Sequence, residues 1–204
     1  AASDVYKRQG EQQGRTLADI LLGKVNPSGK LNVSFPRSTG NTPCFYNHFV
    51  TDREEPFDQP GTPEEPKGHY IFDKPEPLWN FGHGKSYTTF DYVDCALSDT
   101  LLAASDTLKV SVMIKNTGRC DGKEVVQLYV RDKVSTVATP IQQLKAFQKV
   151  LVKSGESQCV ELSLPIAELA LYNAKMEEVV EPGDFEIQIG AASDDIRFKK
   201  TITI

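Results

Sequence analysis

Between about Asp91 and Ile204 the chain alternates. Leu108, Val110, Val112 and Ile114 interleave with Lys109, Ser111, Met113 and Lys115, the period-two signature of a strand with one buried face. The alternation returns in Val126, Leu128 and Val130, in Val160, Leu162 and Leu164, in Phe185, Ile187 and Ile189, and in Phe198, Ile202 and Ile204. Turn-forming clusters separate these runs: Asn116-Thr117-Gly118, Asp121-Gly122, Lys153-Ser154-Gly155-Glu156 and Glu181-Pro182-Gly183-Asp184. About seven short strands in roughly 110 residues predict an antiparallel β-sandwich over 91–204.

The start of the chain has a different period. From Glu11 to Leu22 the apolar residues Leu17, Ile20, Leu21 and Leu22 fall at helical spacing, and Gly23 stands where a helix commonly stops. Glu11, ahead of the first apolar position, is placed to cap that helix, where a carboxylate is favoured by the helix dipole. After the turn cluster Asn26-Pro27-Ser28-Gly29, Leu31, Val33 and Phe35 alternate with polar residues until Pro36, which predicts one short strand. One helix and one strand cannot bury a core. Residues 10–40 therefore read as the trailing edge of an α/β domain that continues upstream, and the stretch to Arg37 is expected to depend on that domain's sheet for its order.

Residues 41–90 hold seven of the twelve prolines together with Asp52, Glu54, Glu55, Asp58, Glu64 and Glu65, a linker-like mixture. Yet Phe45 to Tyr92 also holds eleven of the eighteen aromatic residues, too much apolar ring surface to leave in water. This segment is expected to join two bodies by packing on both.

Composition narrows the function. Net charge is −5 over 204 residues, with no Lys/Arg stripe to neutralise phosphates, which argues against a nucleic-acid partner. The longest apolar run is four residues, against the roughly 20 of a membrane-spanning helix. Cys44, Cys95, Cys120 and Cys159 lack zinc-ligand spacing, and His48, His69 and His83 lack the i,i+4 pairing of a metal site, so no metal or cofactor is expected. Ala1 to Gln9 has no signal-peptide apolar stretch, and Asp4-Val5-Tyr6-Lys7-Arg8-Gln9 resembles a translated sequencing adaptor. Residues 1–9 are set aside, and the natural sequence is expected to extend upstream of Gly10.

Three blocks carry a family resemblance. The first runs from Gly10-Glu11-Gln12-Gln13-Gly14 through Leu17-Ala18-Asp19-Ile20-Leu21-Leu22-Gly23 to Asn26-Pro27-Ser28-Gly29-Lys30-Leu31 and Ser34-Phe35-Pro36-Arg37. It resembles the end of the second domain of family 3 glycoside hydrolases. Pro77-Leu78-Trp79-Asn80-Phe81-Gly82-His83-Gly84-Lys85-Ser86-Tyr87-Thr88-Thr89-Phe90 is similar to that family's Phe-Gly-x-Gly-Leu-Ser-Tyr-Thr-x-Phe signature, with Lys85 where Leu is usual. Asn116-Thr117-Gly118, Asp121 to Val130, Leu144-Lys145-Ala146-Phe147 and Glu181 to Phe185 resemble the fibronectin type III-like domain that closes many of these enzymes, most closely over about 122–192.

The resemblance implies the C-terminal part of a retaining exo-β-glycosidase, β-glucosidase first and β-xylosidase next, acting on a β-linked oligosaccharide or aryl glycoside. It also implies that the aspartate nucleophile and glutamate acid/base lie upstream, and a periplasmic or extracellular location follows from family habit alone. Such chemistry needs two carboxylates about 5 Å apart. Glu54-Glu55, Glu64-Glu65 and Asp194-Asp195 read instead as solvated surface pairs, and the family's acid/base precedes the position of Glu11, so no catalytic residue is assigned. Because sugars stack on flat rings flanked by polar groups, Tyr46, Asn47 and Trp79 are the candidate substrate-binding residues, with inter-domain packing as their competing role. A non-catalytic carbohydrate-binding or adhesive β-sandwich module stays open as the alternative.

Overall fold

The computed structural model describes residues 10–49, 63, 74 and 76–204. Residues 1–9, the pairs Glu54-Glu55 and Glu64-Glu65, and His69 lie outside the described residues.

The alternating runs form two facing antiparallel sheets. One has the order β1-β2-β5, from strands Phe90–Leu97, Thr107–Asn116 and Ser157–Pro165. The other has the order β4-β3-β8-β9, from Gln143–Val152, Gly122–Asp132, Asp184–Ala192 and Asp195–Thr203. A short hairpin of β6 (Leu171–Tyr172) and β7 (Glu178–Val179) is added at one end. Leu108, Val110, Val112 and Ile114 on β2 meet Val126, Leu128 and Val130 on β3 and Ile187 and Ile189 on β8 in one core, every one of them buried. The predicted parity is thus the parity that packs, and burying this many branched side chains is what holds the sandwich.

β3 departs from simple alternation. Its residues from Glu124 to Val130 are all buried, on both faces, because the chain segments around Tyr46 and Phe81 cover the outer side of the sheet. At Gly190 the β8–β9 register slips, and an added Cβ would run into the Asp195 carbonyl oxygen, so the bulge requires glycine.

The start of the chain differs from expectation in two details. The helix, α1, spans Gln13–Leu21; Gln12 takes the N-cap position with no side-chain hydrogen bond, so Glu11 caps nothing. Gly23 ends it at φ 72°, as its position predicts. Leu31–Phe35 is not a strand of a sheet: it forms a single bridge, Phe35 to Trp79. Its backbone bonds still run antiparallel to 78–83, with Leu31 N–H donating to His83 O, Gly82 N–H to Leu31 O and Phe35 N–H to Trp79 O. The ladder cannot regularise because the partner turns back at Asn80–His83 and Pro36 ends the run.

Candidate functional site

The described residues place the site-forming chemistry where the first forty residues and the signature segment lie on the sandwich. Asn26, first residue of its turn cluster, is the node. Its Oδ1 accepts from the Ser86 hydroxyl at 2.9 Å and from Tyr87 N–H at 2.8 Å, while its Nδ2 donates to Asp121 O at 2.9 Å. The Tyr87 hydroxyl reaches back to the carbonyl of Ile20 on α1 at 2.8 Å. One turn therefore ties the helix, the signature and the β2–β3 loop together. Behind it, buried Asn116 accepts from the Thr88 hydroxyl and Gly118 N–H through Oδ1 and donates to Cys120 O and Val152 O through Nδ2. Gly84 lies against Gly29, where an added Cβ would stand 2.5 Å from the Gly29 carbonyl oxygen.

The second half of the site is aromatic. Tyr46 stacks on Phe81 with centroids 4.1 Å apart and meets Tyr129 edge-on at 5.9 Å. Its hydroxyl accepts from Leu144 N–H at 3.2 Å. The Tyr129 hydroxyl donates to Gln127 Oε1 and the Gln127 amide donates to Ala191 O, both at 2.6 Å. Burial, with the neighbouring Tyr46 and Asp194, pushes the Tyr129 phenol above its ordinary range. Ser193 N–H donates to Phe81 O at 3.0 Å, and Asn80 Nδ2 to Asp194 Oδ2 at 2.7 Å, so the segment is fixed through backbone and side chains alike.

Of the three candidate residues, Tyr46 sits inside this aromatic cluster, Asn47 is half-buried beside it, and Trp79 remains 46% exposed, edge-on to Phe35 at 5.7 Å. Among the described residues, ring contacts join Trp79 to Phe35 and Tyr46 to Phe81 and Tyr129, so the candidates do not converge on one ring pair.

The carboxylates are largely engaged in structural contacts. Asp195 pairs with Arg197 at 2.9 Å and Asp19 lies between Arg15 and Lys24. Glu181 accepts from Thr136 N–H and from the Ser135 and Thr136 hydroxyls, bonds that hold its carboxyl below the usual range. Among the described residues no three His, Cys, Asp or Glu side chains gather as metal ligands, and the four cysteines are free. A cavity of about 150 Å³ between Arg131 and Ile141 lies in the β3–β4 loop, and none of the three candidates lines it.

Sequence reasoning missed Asn26, Gln127 and the ion pair of Lys30 with Glu124, whose Nζ and Oε1 lie 2.9 Å apart. One signal was available. Glu124 is in phase with Val126, Leu128 and Val130, so a charge stands where the alternation asks for an apolar side chain.

Comparison with known proteins gives two adjacent matches. The glycosyl hydrolase family 3 C-terminal domain matches residues 6–87, and the fibronectin type III-like domain matches residues 124–193. A β-xylosidase of Formosa agariphila is 40% identical over 190 residues, 92% of this chain and 25% of its own length. A periplasmic β-glucosidase of Salmonella typhimurium is 38% identical over 191 residues, 92% of this chain and 24% of its own. Among solved structures, a Listeria innocua β-glucosidase in complex with glucose superposes with a TM-score of 0.82 at 37% identity, covering 94% of this chain and 26% of that one. The β-glucosidase 3B of Thermotoga neapolitana in complex with α-D-glucose gives 0.74 at 36% identity, covering 95% and 27%. The chain thus spans about a quarter of the length of these relatives.

Proposed function

The chain belongs to the family 3 glycoside hydrolases, and from that premise we propose that it is the non-catalytic C-terminal part of an exo-acting β-glycosidase. β-Glucosidase activity leads and β-xylosidase activity follows, both being represented among the relatives named above. The observation that carries the reading is the succession of the two matched domains in one chain. The geometry adds support. α1 leaves Leu17, Leu21 and Leu22 more than half exposed, and a helix of this pattern gains its stability when that stripe is covered. We read the cover as the sheet of an α/β domain N-terminal to Gly10, residues 10–40 as that domain's edge, 41–90 as the join and 91–204 as the sandwich. The nucleophile and the acid/base belong, in this reading, to the upstream sequence.

Residues 10–204 expressed alone are expected to give no turnover of aryl β-glucosides or β-xylosides above buffer. Turnover that disappears when one of the chain's own carboxylates is replaced would overturn the proposal. Retention on insoluble polysaccharide would favour a binding module instead.

For Tyr46, Asn47 and Trp79 we propose an inter-domain clamp as the first role and a border of the sugar pocket as the second. Stacking on Phe81 occupies a face of Tyr46, whereas Trp79 retains open ring surface. In the full-length enzyme, Trp79→Ala is expected to lower the melting temperature while leaving the preference between glucosides and xylosides within about twofold, the scale of a contact that does not discriminate substrates. A loss of substrate binding with unchanged melting would assign Trp79 to the sugar.

A further inference from the structure

The Lys30–Glu124 pair joins parts of the chain 94 positions apart, with Glu124 buried and Lys30 largely covered: the two side chains are 8% and 18% exposed. Among the described residues Glu124 Oε1 has the Lys30 ammonium at 2.9 Å as its only cation, and the carboxylate is also within hydrogen-bond reach of the Tyr92 hydroxyl. From β1, Tyr92 faces the same carboxylate; burial first, then the charges of Glu124 and Asp195, push its phenol above the ordinary range. The Tyr92 hydroxyl donates to Gly190 O at 3.3 Å, and the Arg197 guanidinium lies 5.8 Å from its ring centre.

A buried ion pair is a poor source of stability, because desolvating both ions cancels most of their attraction. It does penalise every arrangement that separates them, since a displaced lysine leaves the carboxylate without a countercharge in a low-dielectric site, with only the neutral Tyr92 hydroxyl beside it. The strap 26–35 has a use for such a penalty. Val33 is 56% exposed and Phe35 37%, so burial fixes them weakly. Gly29 meets Gly84 backbone to backbone, and the side chain that lies against Gly84 there is the stem of Lys30 itself. The Asn26 bonds to Asp121 O and Tyr87 N–H are solvent-exposed and can be exchanged for water.

We propose that the Lys30–Glu124 ion pair is a registration lock that selects one seat for the 26–35 strap on the β-sandwich, and with it the position of Trp79, which the strap holds through Phe35. The pair acts through position and contributes little net stability. This inference does not rest on the glycosidase reading and is tested on the 204-residue chain itself, in which the strap 26–35, unlike the exposed face of α1, finds its bonding partners at 78–87 and Asp121 and does not need an upstream sheet for them.

Trp79 is the single tryptophan, so fluorotryptophan labelling gives one fluorine NMR reporter beside the strap. Wild type and Lys30→Arg are expected to give one sharp line. The double variant Lys30→Met/Glu124→Leu is expected to melt within about 4 °C of wild type, the shift of roughly 1 kcal/mol in a domain of this size. Its fluorine line should nevertheless broaden or split, and the Leu31 and Gly82 amides should exchange about tenfold faster, as a locally opened segment does. A single sharp line at the wild-type position with unchanged exchange of both amides would overturn the lock. So would a double variant that fails to fold, because the pair would then be a source of stability, and so would a wild-type protein that already gives several lines.

Discussion

Gly82→Ala is expected to destabilise the chain by about 3 kcal/mol, the sum of a strained backbone and an overpacked contact. Gly82 sits at φ 82°, a region where an L-residue with a Cβ is disfavoured. The added Cβ would stand 2.5 Å from Gln127 Oε1 and 3.0 Å from the Ala192 Cα. Gln127 cannot move away freely, because it accepts from the Tyr129 hydroxyl and donates to Ala191 O. Ala192 is backbone of β8 and cannot yield without the sheet. A thermal melt should therefore drop by about 6–12 °C. The matched control is Gly155→Ala, at φ 78° with nothing within 4 Å of the added methyl, which carries the backbone cost alone, about 1 kcal/mol. Equal losses in the two variants would mean that the contact of Gly82 with Gln127 and Ala192 contributes nothing.

The same contact marks how far the sequence could be read. Apolar alternation declares a strand: in β2, β5 and β8 the alternating apolar residues are the ones that pack in the core, although β8 is buried on both faces over 187–190. β4 does not declare itself. Its apolar residues Leu144, Ala146, Phe147, Val150, Leu151 and Val152 break parity, because a bulge opposite Leu128–Tyr129 shifts the register and because Phe147 and Leu151 are left exposed. The 31–35 run alternates like a strand, yet its ladder is cut short by a partner that turns back, a property of a segment some fifty residues away that no local pattern contains. The aromatic richness of 41–90 announced packing, and among the described residues Tyr46 and Phe81 of that segment stack on each other and Tyr46 meets Tyr129 of the sandwich. The polar nodes are the least legible. Asn26 reads as a turn residue from its neighbours, and only the fold brings Ser86 and Asp121 within reach of its amide. The Glu124 charge within an apolar alternation was visible, but its partner Lys30 lies outside the domain that β3 belongs to.

Asn116→Ala is expected to be equally costly, about 3 kcal/mol, for a reason opposite to overpacking: it leaves polar groups without partners. Asn116 is fully buried at the end of β2 and uses both ends of its amide. The Oδ1 receives the Thr88 hydroxyl and Gly118 N–H, and the Nδ2 serves Cys120 O and Val152 O. An alanine removes all four bonds and supplies none, and water has little access because Thr88 is buried as well. Thr88→Val takes away one of the four bonds and should cost about 1 kcal/mol. The double variant separates the two explanations available for the large effect. If the loss comes from orphaned groups, Thr88→Val in the Asn116→Ala background removes a hydroxyl that has already lost its acceptor and costs almost nothing, giving a coupling of about 1 kcal/mol between the sites. If the loss comes from the missing volume of the amide, the two substitutions add. Urea melts of the four proteins read the difference directly, and additivity would mean that the Thr88–Asn116 bond, and with it the tie between the signature segment and the sandwich, contributes nothing to holding the two together.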